Sequence, residues 1–212
     1  ISLSETFERK LRPQRAWGWL VAFDLFFEGT GGGIFFLATV LRALGLIDAD
    51  LFAWAAWAGV LAVVVGLLFL LAHLGKPLRF ILAFRRPKES WISRGAYVAT
   101  LFIILAGVAL LPSLPGLGGL PWGDRTTGGN VLGGLACVLA LGLMAYTGLV
   151  LSSWSSIPFW NTPLLPVLFV GYSFLGGAAG LLVLASVLGV VPAFLAPLTL
   201  GLLLGTSFMI LV

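Results

Sequence analysis

Hydrophobic residues occupy six long runs along the chain, and polar residues collect in the segments between them. Each run holds about 20 residues, which at ~1.5 Å of rise per residue is the helix length that crosses about 30 Å of hydrocarbon. The pattern therefore predicts an all-α, polytopic membrane protein with about six transmembrane helices. The predicted spans cover residues 16–42, 51–74, 91–112, 129–151, 163–189 and 191–212.

The composition supports a surface that faces lipid. Hydrophobic residues make up 60% of the chain and charged residues 9%, whereas soluble domains carry about 25% charged residues. So few charges could not cover a water-soluble protein of this length, which excludes that class. The chain begins without Met and ends in an apolar run, so we expect the native protein to extend at both ends.

The basic residues divide unequally between the two ends of the predicted helices. If the spans alternate in direction, one face carries the N-terminus with residues 75–90 and 152–162, and the other carries residues 43–50 and 113–128. Ten basic residues belong to the first face and two to the second. The ten are Arg9, Lys10, Arg12, Arg15, Lys76, Arg79, Arg85, Arg86, Lys88 and Arg94. The asymmetry predicts a cytoplasmic N-terminus and no nucleic-acid-binding face; alternatively, the basic face docks an acidic protein partner.

Two acidic residues interrupt the first predicted span. Asp24 and Glu28 are four residues apart, which places them on one side of a helix, one turn from each other. Each ionisable residue inside a span costs about 3 kcal/mol on insertion scales, and such residues usually have a function. Two carboxylates this close repel each other in a low dielectric, so we expect one of them to hold a proton. The pair indicates proton uptake or release; the alternative is a structural pair bonded to a neighbouring helix.

Further polar groups are predicted near the same membrane face as Asp24. His73 ends the second span, Tyr97 lies early in the third, and Tyr146 lies late in the fourth. A quinone head group needs donors to its two carbonyl oxygens and groups that exchange protons, which these residue types supply. The single histidine excludes a bis-histidine haem, and the single cysteine, Cys137, excludes a cysteine-ligated iron–sulfur or metal site.

Four pairs of glycines recur at helical spacing within the predicted spans. Small residues four positions apart allow helices to approach closely in a membrane. A chain with 28 glycines also produces such pairs by chance, so a glycine-rich composition without helix contacts is the alternative. The pairs are Gly29/Gly33, Gly129/Gly133, Gly176/Gly180 and Gly201/Gly205.

Two segments have a residue order that the span pattern does not explain. The first reads HLGKPLRF at 73–80 and PKESWISRGA at 87–96. The second comprises Tyr146-Thr147-Gly148, Ser152-Ser153, PFWN at 158–161 and LPVLF at 165–169. They resemble the loop between helices two and three, and the junction between helices four and five, of the NrfD/PsrC family, the membrane subunits of polysulfide-reductase-like complexes. The glycine-rich first span is also typical of that family.

The resemblance implies a function and a set of partners. Family members interact with menaquinone or ubiquinone, carry no redox cofactor of their own, and pair with a ferredoxin-like four-cluster iron–sulfur protein. That protein in turn contacts a molybdenum or tungsten pterin enzyme. By position in the family's first helices, the quinone site is expected at Asp24, Glu28, His73 and Tyr97. The docking surface is expected at Arg79, Arg85, Arg86, Lys88 and Arg94, with membrane lipid around the helices.

The resemblance also implies a division of the chain. Family members have eight or more spans in two four-helix bundles. Residues 1–151 therefore correspond to an N-terminal segment with the first bundle, and residues 152–212 to the start of an incomplete second bundle. Many relatives face the periplasm with their partners, whereas the charge pattern here favours the cytoplasm for the basic face of a cell (inner) membrane protein.

Two other functions use the same features of the sequence. A proton-coupled transporter or channel subunit would use the buried acids, but no inverted repeat is evident and the polar groups gather at one face. A purely structural membrane anchor would need no buried acids. The sequence does not decide whether the chain is non-catalytic or a quinone-reactive subunit of an oxidoreductase.

Overall fold

The structure is a computed structural model that describes residues 18–73, 91–153 and 162–211. Within these ranges the chain forms six α-helices, one short 3₁₀ turn and no β-strand. The helices are α1 (Trp19–Ala43), α2 (Ala49–His73), α3 (Trp91–Leu110), α4 (Thr127–Ser152), α5 (Leu164–Val187) and α6 (Leu195–Leu211). The prediction of an all-α, polytopic membrane protein with six helices is confirmed.

Five of the six helices are long and apolar enough to cross a membrane. The third of these spans includes the 3₁₀ turn Leu111–Ser113 that follows α3. The sixth helix has 17 residues and is shorter than the predicted span 191–212. It begins late because Gly189, with a φ of +71°, ends α5 in a left-handed turn, and an irregular segment containing Pro192 follows.

Helix α1 is the centre of the assembly and contacts α2, α4 and α5. A Cβ atom added to Gly31 would lie 2.6 Å from the carbonyl oxygen of Gly59 in α2. On the other side of α1, a Cβ at Gly33 would overlap the backbone of Ser173 in α5. These glycines therefore bring the backbones of three helices into contact, as small residues do in membrane proteins.

One end of the bundle is fixed by an ion pair between the last turn of α1 and the loop before α4. The Nε of Arg42 donates to Oδ2 of Asp124 at 3.0 Å, and its Nη1 donates to the carbonyl oxygen of Ile47 at 3.0 Å. The loops 43–50 and 113–128 therefore lie on the same side, as the alternating spans predict. At the other end, the ring of Trp19 at the start of α1 contacts Phe69 near the end of α2. The compartment that each side faces remains a prediction.

The contact between α1 and α5 predicts a sharp effect of adding one methyl group. Gly33→Ala should destabilise the protein by about 1–3 kcal/mol, because the new Cβ overpacks against the backbone of Ser173. Gly107→Ala in α3 is the matched control, since a Cβ there meets no atom within 4 Å. Thermal unfolding of the detergent-solubilised variants measures the difference. Equal unfolding temperatures would show that the α1–α5 contact is not as close as described.

Candidate functional site

The two acidic residues of α1 are both buried. Asp24 is 3% exposed and Glu28 is 4% exposed. The turn that holds them packs against Gly66 of α2, where an added Cβ would lie 3.0 Å from Cγ of Glu28. The absence of a side chain at Gly66 therefore makes room for the Glu28 carboxyl group between the two helices. Asp24 and Glu28 are close enough to interact electrostatically, as their spacing predicts.

Two buried oxygens, one at this site and one on α4, lack a hydrogen-bond partner among the described residues. They are Oδ1 of Asp24 and Oγ1 of Thr147, which is 1% exposed on α4. A buried polar atom that makes no hydrogen bond costs about 1–3 kcal/mol, so such atoms usually meet water or a ligand. The ion pair between Arg42 and Asp124 lies at the other end of α1, so it does not neutralise either carboxyl group of the site. The site thus contains a buried carboxyl oxygen whose hydrogen-bonding capacity the described residues do not use.

Tyr146 brings a phenolic hydroxyl to the same place. Its hydroxyl lies near enough to Asp24 and Glu28 to interact with both electrostatically. Gly95 of α3 makes room for the ring, because a Cβ at Gly95 would overlap it. The two segments with an unexplained residue order, 87–96 and 146–148, therefore meet at this contact. The unexplained residue order of these segments is the signal in the sequence that points to Tyr146. Tyr146 was expected near the same membrane face as Asp24, but it was not among the residues predicted to form the quinone site.

His73 and Tyr97 lie farther out. His73 is exposed at the end of α2, seven residues beyond Gly66, which is about 10 Å along the helix. Tyr97 is 38% exposed, and it follows Gly95 by two residues, so it projects about 200° around α3 from the side that contacts Tyr146. The assignment of these two residues to a ligand site remains a prediction.

A row of aromatic rings lies beside the carboxyl groups. Phe23 and Phe27 of α1 each stack on Phe69 of α2, with ring centroids 5.3 Å and 5.8 Å apart. Phe23 and Phe26 are more than one third exposed and face outward. The stacked rings form an apolar surface that spans α1 and α2 close to Asp24. Its signal in the sequence is the spacing of four between Phe23 and Phe27 on one side of a helix.

Most of the predicted docking surface lies outside the described residues. This applies to Arg79, Arg85, Arg86 and Lys88. Arg94 is described: it is exposed in the first turn of α3, and its guanidinium carbon lies 4.6 Å from the ring centroid of Trp91. Stacking on Trp91 orients the guanidinium at the start of α3, at the same end of the bundle as the buried acids.

Metal ligands do not cluster in the part of the chain that the structure describes. No three His, Cys, Asp or Glu side chains come close enough together there to hold a metal ion. Cys137 is buried in α4 as a free thiol. Two carboxyl groups and a phenol, such as those of Asp24, Glu28 and Tyr146, can form hydrogen bonds and exchange protons.

Comparisons with known proteins agree on one family. The family model described as "Polysulphide reductase, NrfD" matches residues 8–210. "Protein NrfD" of Escherichia coli (strain K12) is 34% identical over 183 residues, which cover 77% of this chain and 57% of that protein. The C chain of the polysulfide reductase of Wolinella succinogenes is 31% identical over 187 residues, covering 77% of this chain and 56% of that protein. The chain thus spans little more than half the length of these relatives. No solved structure matches the chain.

The contact between Gly95 and Tyr146 can be tested by a double-mutant cycle. Gly95→Ala should destabilise the purified protein by about 1–3 kcal/mol, because its Cβ must displace the Tyr146 ring. In a Tyr146→Ala background the same change should have almost no effect, since the ring is gone. Thermal unfolding of the four proteins gives the coupling. An equal cost in both backgrounds would mean that α3 does not meet α4 at these residues.

Proposed function

Because the chain belongs to the polysulphide reductase, NrfD family, we propose that it is the quinone- or quinol-interacting membrane subunit of a respiratory oxidoreductase complex. The observation that carries the proposal is the buried pair Asp24 and Glu28, one of whose oxygens has no hydrogen-bond partner among the described residues. Burying two acids is unfavourable unless they meet a partner or exchange protons. A membrane anchor without a ligand would have no use for two buried acids, whose burial lowers the stability of the protein.

The residues around the pair fit a quinone head group. A quinone takes up two electrons and two protons on reduction and returns them on oxidation. Among the described residues, Asp24 and Glu28 are suited to give or receive those protons, because they lie together inside the span. The Tyr146 hydroxyl can donate a hydrogen bond, and so can Oγ1 of Thr147, which lacks a partner among the described residues. Both residues belong to α4, and the Tyr146 hydroxyl lies near the two acids.

The aromatic row supports an approach from the lipid. Phe23 is exposed on the outer side of α1, one residue before Asp24, and its stacking on Phe69 extends the surface onto α2. Planar rings pack well against offset or edge-on aromatic partners. A lipid-soluble ring that slides between α1 and α2 would meet apolar contacts first and the carboxyl groups afterwards. We place His73 and Tyr97 at the outer edge of this site, where they can shape access to it.

The electron partner is proposed to dock at the same end of the bundle. Arg94 lies at the start of α3 there, and Arg79, Arg85, Arg86 and Lys88 precede it in the chain. Clustered basic side chains steer an acidic protein surface, here a ferredoxin-like iron–sulfur subunit that contacts a molybdenum or tungsten pterin subunit. Docking there would keep the distance between the last cluster and the quinone short. We propose a cell (inner) membrane location with a cytoplasmic N-terminus.

Asp24→Asn tests the proton role directly. The amide keeps the shape of the side chain and loses the titrating proton, so the complex should assemble while quinone-linked turnover falls. A lost general acid or base lowers rates by about 10²–10⁴-fold. Turnover of the assembled complex with a quinone analogue, per mole of complex, measures the effect.

Asp48→Asn is the matched control for this experiment. Asp48 is exposed before α2 at the other end of the bundle, and its Oδ1 accepts a hydrogen bond from the Leu51 backbone N–H at 2.7 Å. Asparagine caps a helix equally well, so turnover should not change. If Asp24→Asn also leaves turnover at the wild-type rate in an assembled complex, the proposed role of the acids is wrong and a structural anchor becomes the better account.

Charge reversal at Arg94 tests the docking surface. Arg94→Glu should weaken association with the iron–sulfur subunit, and the loss should grow at low ionic strength, where charge repulsion is less screened. Arg94→Lys keeps the positive charge and should retain most of the association. Co-purification of the subunits at several salt concentrations measures both variants. Association that responds equally to the two substitutions would place the partner elsewhere or assign Arg94 a packing role on Trp91.

A further inference from the structure

A cavity lies at the end of the bundle opposite the buried acids. It is partly open, has a volume of about 850 Å³, and is lined by α1, α2, the end of α3, the start of α4 and the loop before α4. Binding sites for small molecules in proteins hold about 300–1,000 Å³, so the space is large enough for a ligand. Its lining on α1 runs from Phe35 to Ala43, and Thr39 is about 20 Å along the helix from Asp24. The two sites are therefore separate.

The lining of the cavity is apolar inside and polar at its rim. Phe35, Phe36 and Phe52 contribute aromatic rings, and Gly133 and Gly134 of α4 leave room that larger side chains would fill. A Cβ at Gly134 would meet no atom within 4 Å, and at Gly133 the nearest contact is an ordinary 3.4 Å. The interior therefore suits a ring or an alkyl tail that comes from the lipid phase.

The charges at the rim cancel. Two arginines, Arg42 and Arg125, and two aspartates, Asp50 and Asp124, line the cavity. Arg42 is paired with Asp124, which ties the two loops together. With equal numbers of opposite charges the rim offers no net attraction to a phosphate, a carboxylate or a cation. A neutral head group that can both accept and donate hydrogen bonds matches the rim better.

The rim supplies both donors and acceptors of hydrogen bonds. Nη2 of Arg125 donates to the carbonyl oxygen of Arg42 at 3.3 Å, and a guanidinium has five N–H groups, so others remain for a ligand. Asn130 can donate and accept, and Asp50 can accept from a hydroxyl group. A ring that carries carbonyl or hydroxyl groups satisfies these partners in either redox state.

We propose that this cavity is a second ligand site, which takes the head group of a neutral, lipid-soluble ring compound of the quinone class. The site is distinct from the one at Asp24 and Glu28 and lies toward the opposite membrane face. The choice of quinones among such ring compounds rests on the proposed function; the apolar interior and the neutral rim do not depend on it. No redox step is assigned to this second site.

Photolabelling of the whole complex tests the proposal. The probe is a photoreactive azidoquinone with a short alkyl tail, and labelled peptides are identified by mass spectrometry. We expect label on the cavity wall, within residues 35–43 or 130–137, that excess unmodified quinone suppresses. Gly134→Leu should reduce the label there by at least about tenfold, because its side chain takes up part of the cavity beside Asn130, where the head group is proposed to bind. Gly107→Leu, outside the cavity and equally free of close contacts, should not.

Each other outcome has a definite meaning. Absence of label on the cavity wall, label that unmodified quinone does not displace, or label unchanged in Gly134→Leu would overturn the second site. Phospholipid held in the cavity of the purified complex, with no azidoquinone label there, would overturn it in favour of a lipid site. Label at the cavity wall without label near Asp24 would uphold this site and refute the proposed function. Label near Asp24 without label at the cavity wall would support the proposed function and refute the second site.

Discussion

The close approach of α1 to its neighbours is the constraint on which the rest of the structure depends. Lipid tails are as apolar as leucine, so membrane helices associate through close packing rather than through burial of apolar surface. Glycines on two sides of α1 provide that packing: Gly31 faces Gly59 of α2, and Gly33 faces Gly177 of α5. Helix α1 is thereby enclosed by three helices, and its acidic turn is removed from lipid.

The enclosure of α1 gives its two halves different chemistry. The glycine-rich middle is occupied by helix contacts and has no room for a ligand. The first half presents Asp24 and Glu28 toward α2 and α4, where Gly66 leaves room for the Glu28 side chain and the Tyr146 hydroxyl lies near both acids. The second half lines a cavity that an ion pair between Arg42 and Asp124 borders. Any ligand must therefore bind at one end of the bundle or the other, and the two ends differ in charge.

The fold could be predicted from the sequence further than the site could. The length of the apolar runs determines the spans, and the last helix is shorter than its run because the turn at Gly189 and an irregular segment precede it. Glycine spacing was an ambiguous signal: the pairs in α1 and α5 mediate helix contacts, whereas Gly201 and Gly205 of α6 meet no atom within 4 Å. Composition alone does not separate these cases, because contact depends on which helix lies opposite.

The orientation of each helix about its own axis limited the prediction of the site. The sequence places Tyr97 and Tyr146 near the same membrane face, but rotation decides which of them meets the acids. The contact of Gly95 with Tyr146 sets that rotation for α3 and turns Tyr97 outward. Asp24 and Glu28 were predictable because both lie on one helix, where a spacing of four fixes their relation.

The central claim is that the acidic pair of α1 meets the quinone head group. A cryo-electron microscopy structure of the assembled complex with bound quinone tests it most directly. The account predicts ring density with an oxygen about 3 Å from a carboxyl oxygen of Asp24 or Glu28, or from the Tyr146 hydroxyl. A structure in which both carboxyl groups are bonded to protein side chains, with no ring beside them, would contradict it.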